Sequence, residues 1–386
     1  MRNWILISIS CFFISQAHAA PKEWTFLVFM NGFNNLDRFT FDDLNEMEKV
    51  GSTDQVNVVV QWASLRAGVV KRLKVEKDND PANVTSPILN DLGRIDMGDY
   101  RSLVEFVKWA KIHYPAKKYF IDVWNHGSGW HKGLNREMLR NISSDDLSKN
   151  NITTVQLGTA MRDIASELGQ KVDIYGSDAC LMNMVEVAAE MKDSVQVYLG
   201  SQDNEPGPGW AYDRLLKEWN AIPRASAHEV AKIHVREYLA SYPGRSGITQ
   251  SAFDMNQYDL FADAIRDFGQ QMHLLTQTEK ANVLKLAVET TSFYYDDYKD
   301  VGHLVNLVET RLPQASLLAS SAPRVRSALS SFVIANAVSP DLLEAKGVSF
   351  WFPENLSTYN RYATQYQPLV FNSDTHWTDA LTKLLR

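Results

Sequence analysis

Hydrophobic positions along the chain follow two alternating patterns. Short runs rich in β-branched and aromatic residues, WTFLVFM (24–30), VNVVVQW (56–62), YFIDVW (119–124), VDIYGS (172–177) and VQVYLGS (195–201), are apolar at nearly every position. Such runs predict strands buried on both faces. Between them, apolar residues recur at helical spacing: Leu103, Phe106, Val107 and Ala110, then Leu157, Met161, Ile164 and Leu168 behind the capping candidates Thr153 and Thr154. The same spacing in Leu181, Met184, Val185 and Ala188 predicts a helix that starts at or near Cys180. Strands alternating with helices predict an α/β fold, a mostly parallel sheet with helices on both faces. After Gly209 the pattern becomes helix-rich, with strand-like returns at SGITQSAF (246–253), SFVIANAV (331–338) and GVSFWFP (347–353). This suggests a core over residues 21–250 and a helix-rich C-terminal extension over 251–386. Two polar loops stand out, 133–151 and 201–210.

Composition then narrows the class. The 386 residues, 45% hydrophobic and 22% charged, suit a globular protein long enough to bury a sizeable core. Arg2, the apolar run 4–14 and Ala17-His18-Ala19 have the order of a secretory signal, so residues 1–20 are expected to be removed on export to periplasm or medium. That run is too short to span a bilayer, and no later segment approaches eighteen apolar residues. A net charge of -7 without a basic run speaks against nucleic acid or an anionic membrane as partner. Of the two cysteines, Cys11 and Cys180, only Cys180 would remain after signal removal, which leaves no internal disulfide. It is then a buried apolar residue, an intermolecular link or a nucleophile.

His126 follows the strand run ending at Trp124, and Cys180 follows the run ending near Ser177. In a parallel sheet with right-handed crossovers both strand ends face one rim, where ligands usually bind. The two side chains can therefore meet. A helix starting near Cys180 would favour its thiolate through the helix dipole and unpaired N–H groups. Gly127 and Gly129 permit a sharp turn and leave an N–H to face a developing oxyanion. Thiol, imidazole and backbone donors together support acyl transfer, with thiolate attack on a carbonyl and protonation of the leaving amine. The same residues also fit a turn histidine beside a core cysteine, and by themselves they leave both readings open.

WNHGSGW (124–130) and YGSDACLM (175–182) resemble the histidine-glycine and alanine-cysteine motifs of the clostripain-type cysteine peptidases, relatives of caspases, gingipains and legumain. Further blocks are similar, among them EMEKVGSTDQVNVVVQW, DLGRIDMGDYRSLVEFVKWA, YPAKKYF, EPGPGWAY, GVSFWFPE and HWTDALTKLL, so the likeness runs from Trp24 to Leu385. The resemblance implies a caspase-like three-layer fold and a cysteine endopeptidase that cuts after Arg or Lys. It makes Cys180 the nucleophile, His126 its partner and Gly127 the oxyanion donor. Asp178 falls in the pocket for the basic side chain, with Ser177, Asp203 and Glu205 as further substrate-side candidates. A carboxylate facing a guanidinium is a sensible selector, since a neutral side chain would leave the charge unpaired. Asp178 also stands where a helix N-cap would, a role Asp favours. Two positions depart from the family: Gly32-Phe33-Asn34-Asn35 replaces an Asp-Asn-like pair, and Pro208 a polar or acidic residue.

Other chemistry has less support. His131 is the nearest rival base, but it lies beyond the glycine turn and is expected on the surface. The remaining histidines lack metal-ligand spacing and no CxxC or HExxH occurs, so neither a zinc site nor a cofactor is expected. Some relatives use calcium, for which Asp145 and Asp146 are a nonspecific candidate. Loop 133–151 carries Arg140 and Lys149, where a basic-specific peptidase would cut itself, as relatives often do. The expected partner is a peptide or protein substrate. Two other readings use the same residues, an inactive peptide-binding relative and an envelope transpeptidase.

Overall fold

A computed structural model describes residues 21–131, 141–313 and 315–386; the expected signal at 1–20 and Arg140 lie outside these described residues. In chain order the strands are β1 (Lys22–Gly32), β2 (Val56–Ser64), β3 (Val69–Lys74), β4 (Ile88–Asp91), β5 (Ala116–Trp124), β6 (Ile142–Asp145) and β7 (Asn150–Ile152). There follow β8 (Val172–Asp178), β9 (Val195–Gly200), β10 (Thr249–Asp254), β11 (Tyr298–Asp300), β12 (Val333–Val338) and β13 (Ser349–Trp351). Nine of them form one sheet in the order β12-β10-β9-β8-β5-β1-β2-β3-β4. Its centre, β9-β8-β5-β1-β2, is parallel, and antiparallel strands extend it at both edges.

β1 illustrates why the apolar runs fold as strands. Trp24, Phe26, Val28 and Met30 enter one core while Leu27 and Phe29 enter the other, the alternation of a strand covered on both faces. Helices α1 (Asp37–Glu48), α2 (Tyr100–His113), α3 (Thr154–Leu168), α4 (Val185–Ala189), α5 (Tyr212–Ala221) and α6 (Ala227–Ser241) follow in order. Leu44 and Met47 of α1, Trp219 of α5 and Val230 of α6 close the first core. Phe106 of α2, Met161 of α3 and the C-terminal residues Phe268, Phe332 and Trp351 close the second. The result is the expected three-layer, caspase-like arrangement. Among the described residues no helix is long and apolar enough to cross a membrane.

The caps behave as their chemistry requires. Thr153 rather than Thr154 caps α3: Gln156 N donates to Thr153 Oγ1 at 3.3 Å, and Thr153 N to Gln156 Oε1 at 2.9 Å. Two late strand runs end up in different places. Most of 331–338 becomes β12, an edge of the central sheet, whereas 347–353 supplies β13, which pairs with β11 outside it. Residue 250 lies inside β10, so the sheet and the second core both continue through the C-terminal part.

Candidate active site

β5 delivers the histidine loop to the carboxyl rim of the sheet. Asn125 N donates to Asp178 O at 3.1 Å, joining the ends of β5 and β8, and Asn125 Nδ2 donates to Asn31 O at 2.7 Å. His126 comes next, half-buried, with Nε2 2.6 Å from Asn35 Oδ1. An amide oxygen only accepts, so Nε2 is the donor in this contact. Asn35 lies in the loop that follows β1. Gly127 is required by crowding, since a Cβ there would sit 2.3 Å from Cys180 O and 2.8 Å from Met182 Cγ. Gly129 has φ +69°, the left-handed region in which glycine is unstrained.

The cysteine segment differs from its expected form. No helix starts at Cys180: Leu181 has φ +63°, and α4 begins only at Val185. The backbone donors expected to crown the thiol bond elsewhere, Leu181 N to Asp203 O at 3.1 Å and Asn183 N to Ser201 O at 2.9 Å. Apolar residues recur at 181–188 because the segment is buried all round, through the irregular stretch 181–184 and on into α4, which imitates one helix starting at Cys180. The thiol is approached instead by the 201–210 loop, whose Glu205 N donates to Cys180 Sγ at 3.2 Å. Burial pushes the thiol up to about 11, an effect that the Glu205 N–H only partly offsets. Cys180 therefore rests protonated.

Cys180 and His126 face one cavity of about 140 Å³, which Asp178 and Glu205 also line. Asp178 is the last residue of β8, not a helix cap; its carboxylate accepts from Trp210 N at 3.1 Å and lies 2.8 Å from Tyr212 Oη. Tyr212 Oη is also 2.7 Å from Asp122 Oδ2, so one hydroxyl proton serves two carboxyls. Gly209, at φ +63°, lets the loop close over this floor, where a Cβ would lie 2.7 Å from Asp178 Oδ1. Burial raises the Asp178 carboxyl to about 6, and the hydrogen bond from Glu205 holds it from rising further. Burial and then the charge of Asp178 raise Glu205 well above its ordinary range, so Glu205 keeps the proton of the pair. Behind them burial also raises Asp122 and Asp43, the latter accepting from Trp124 Nε1 at 2.6 Å. Among the described residues no lysine or arginine forms an ion pair with any of these four carboxyls.

Other expected positions are placed elsewhere. Ser177 Oγ pairs with Tyr175 Oη at 2.7 Å, Asp203 turns its carboxylate to Asn204 N at 2.8 Å, and neither lines the cavity. His131 is buried rather than on the surface, stacked 4.1 Å from Tyr362. Asp145 is no open cation ligand: buried in the β6–β7 hairpin, it accepts from Met97 N, Leu147 N and Ser148 N at 3.0, 2.8 and 2.9 Å. Lys149 occupies the turn of that hairpin at φ +60°. The residues that sequence reasoning missed are Asn35, Asp43, Asp122 and Tyr212. Only Asp122 left a signal, as the lone charge within the apolar run YFIDVW.

A thiol and an imidazole carried on the carboxyl ends of adjacent parallel strands, above a carboxylate-floored cavity, are the layout of the caspase-like cysteine peptidases. Residues 28–383 match the model of the clostripain family, and the chain belongs to that family. It is 25% identical over 329 residues to clostripain of Hathewaya histolytica, a match that covers 73% of this chain and 61% of that protein, less than two thirds of the relative's length. The fold is similar to a secreted C11 cysteine protease from Bacteroides thetaiotaomicron solved with an irreversible peptide inhibitor (TM-score 0.69, 22% identity, covering 92% of this chain and 99% of that one). It is also similar to an inactive zymogen C11 protease from Parabacteroides distasonis (TM-score 0.71, 16% identity, covering 93% and 99%).

Proposed function

We propose that the protein is an exported cysteine endopeptidase that cuts peptide bonds after Arg or Lys, with Cys180 as nucleophile and His126 as its base and acid. The observation that carries this reading is the set of buried carboxyls in and behind the cavity that holds both residues, which among the described residues have no cationic partner. A buried carboxylate without a countercharge is costly, and a guanidinium or ammonium from the substrate would supply it. Asp178 ionises first and makes the direct pair; Glu205, as the protonated neighbour, donates to it.

Because the resting thiol is protonated, its proton passes to His126 Nδ1 as sulfur attacks the scissile carbonyl. The Gly127 N–H is assigned to the resulting oxyanion. The β6 contact of this loop uses Ser128 N, which donates to Asn141 O at 3.0 Å, and not Gly127 N. Imidazolium then protonates the leaving amine, and water hydrolyses the thioester. Self-cutting is assigned to Arg140 rather than Lys149, because Lys149 sits at positive φ in a tight hairpin turn while peptidases bind extended backbone.

Short amide substrates ending in Arg, Lys, Asp or Asn, offered before and after iodoacetamide, test the reading. Thiol-sensitive hydrolysis confined to Arg and Lys is expected; hydrolysis after Asp, or activity that survives alkylation, would overturn it. Incubated wild type should resolve into two chains on a denaturing gel while Cys180→Ala and Arg140→Ala stay single. A wild-type chain that stays whole would remove the self-processing part alone.

A further inference from the structure

The ribbon β11–β13 lies outside the central sheet, with Tyr298 opposite Trp351 and Asp300 opposite Ser349. Each of its strands grips a different catalytic segment. On β11, the Tyr298 hydroxyl donates to Ser128 O at 2.9 Å and accepts from His131 N at 3.4 Å, thereby spanning the turn that follows His126. Its ring also closes on Gly129, where a Cβ would lie 2.7 Å from Tyr298 Cε2. On β13, Ser349 N and Oγ both donate to Asn183 O, at 3.3 and 3.0 Å, three residues beyond Cys180. Farther along the strand, Trp351 N donates to Glu186 Oε1 at 2.7 Å. Tyr298, Ser349, Trp351, Asn183 and Glu186 are all fully buried.

The two catalytic segments already crowd each other at Gly127, where a Cβ would lie 2.3 Å from Cys180 O. That contact is repulsive at short range, so it limits how closely the segments approach and does nothing to stop the histidine loop from lifting away. The ribbon's hydrogen bonds act in the other direction. Apolar packing of Trp130 against Trp351 and Tyr366, at centroid distances of 5.4 and 4.8 Å, holds the C-terminal part in place without them. The polar contacts to Ser128 O and Asn183 O add direction rather than area, and they bear on residues two and three positions from the reacting side chains.

We propose that the β11–β13 ribbon is a positioning element that sets the separation of His126 and Cys180, with Tyr298 and Ser349 as its positioning residues. The inference rests on the Cys180–His126 reading above. A displacement of about 1 Å between reacting groups costs on the order of a hundredfold in rate, so small losses of registration are measurable.

Tyr298→Phe keeps the ring and its packing and removes only the hydroxyl; Ser349→Ala removes the Oγ donor. For each, kcat on an Arg amide should fall about tenfold or more, with KM within about twofold of wild type. The rate of Cys180 alkylation by iodoacetamide, followed by mass spectrometry and normalised to folded protein, should fall in parallel. Its pH profile should move up towards that of a thiol without a base. Wild-type kcat and alkylation in both variants, or losses that match only a drop in folded fraction, would overturn the proposal. If Tyr298→Phe does not fold, Ser349→Ala decides alone. Alkylation needs no substrate, so it reads the ribbon even where the Arg and Lys amides fail and the peptidase specificity falls.

Discussion

A carboxylate at the floor of a covered cavity either finds a cation or takes up a proton, and Asp178, raised to about 6 by burial, is poised between the two. Asp178→Asn preserves shape and removes the charge. It should lower kcat/KM for Arg substrates by about 10² to 10³, the range for removing one partner of a buried charge pair, and leave Cys180 alkylation near wild type. Wild-type KM for the same substrates should rise as pH falls below about 6, because protonated Asp178 no longer pairs with a guanidinium. A KM flat from pH 7 to 5 would remove Asp178 from the pocket. Asn35 meets the imidazole, its Oδ1 2.6 Å from His126 Nε2. Asn35→Ala frees Nε2 from its amide acceptor and should lower kcat about tenfold with little change in KM, while Asn35→Asp, which restores an acceptor, recovers most of it. That Cys180, His126 and Asp178 share one cavity was legible because each sits in a short motif next to a strand run. Asn35 and Asp43 were not, since Asn35 meets His126 across the loops after the first and fifth strands and Asp43, within α1, meets Trp124 of β5, relations that local spacing does not carry.

Elements were readable in proportion to how completely they are buried. The central strands announce themselves because helices cover both faces, whereas β3 and β4 extend the sheet at its edge with mixed polar and apolar residues and left no run to find. The same rule misleads at Leu181 to Met184, where burial without regular structure extended the spacing of α4 back to Cys180. The β6–β7 hairpin was missed for a different reason. It is held by a side chain, with Asp145 accepting three backbone N–H groups that strands of this length cannot satisfy between themselves. Asp145→Ala leaves the buried Met97 N unpaired and takes the acceptor from the turn donors Leu147 N and Ser148 N, and a charged acceptor is worth roughly 1.5 to 3 kcal/mol. The variant should melt several degrees below wild type. It should also lose activity beyond its loss of folded protein, because Asn141 and Ser144 of this hairpin hold Ser128 and Asn125 on either side of His126. A melt equal to wild type would show that the hairpin does not depend on Asp145.

Across the whole molecule the buried carboxyls set the dependence of stability on pH. Burial raises Asp178 and Asp300 from 3.8 to about 6, and Glu46 and Glu186 from 4.5 to about 7; it also raises Asp43, Asp122 and Glu205. Between the ordinary and the raised value only the folded state holds the proton, so each group contributes stability that is lost as pH rises from about 4 towards 7. His234 opposes them: burial lowers it from 6.5 to about 3, so in that window the unfolded chain takes up the extra proton and acid destabilises the fold. Burial lowers His303 as well, and the carboxyls outnumber the two histidines. The Cys180→Ala protein, which cannot digest itself, should therefore melt higher at pH 5 than at pH 7.5, the reverse of a protein stabilised by carboxylate ion pairs. A guanidinium ligand in the cavity should narrow the gap by pairing with Asp178 in its ionised form, raising the melting temperature more at pH 7.5 than at pH 5. A higher melt at pH 7.5 without ligand would mean that these carboxyls find countercharges in solution. An equal effect of ligand at both values would place the guanidinium away from Asp178.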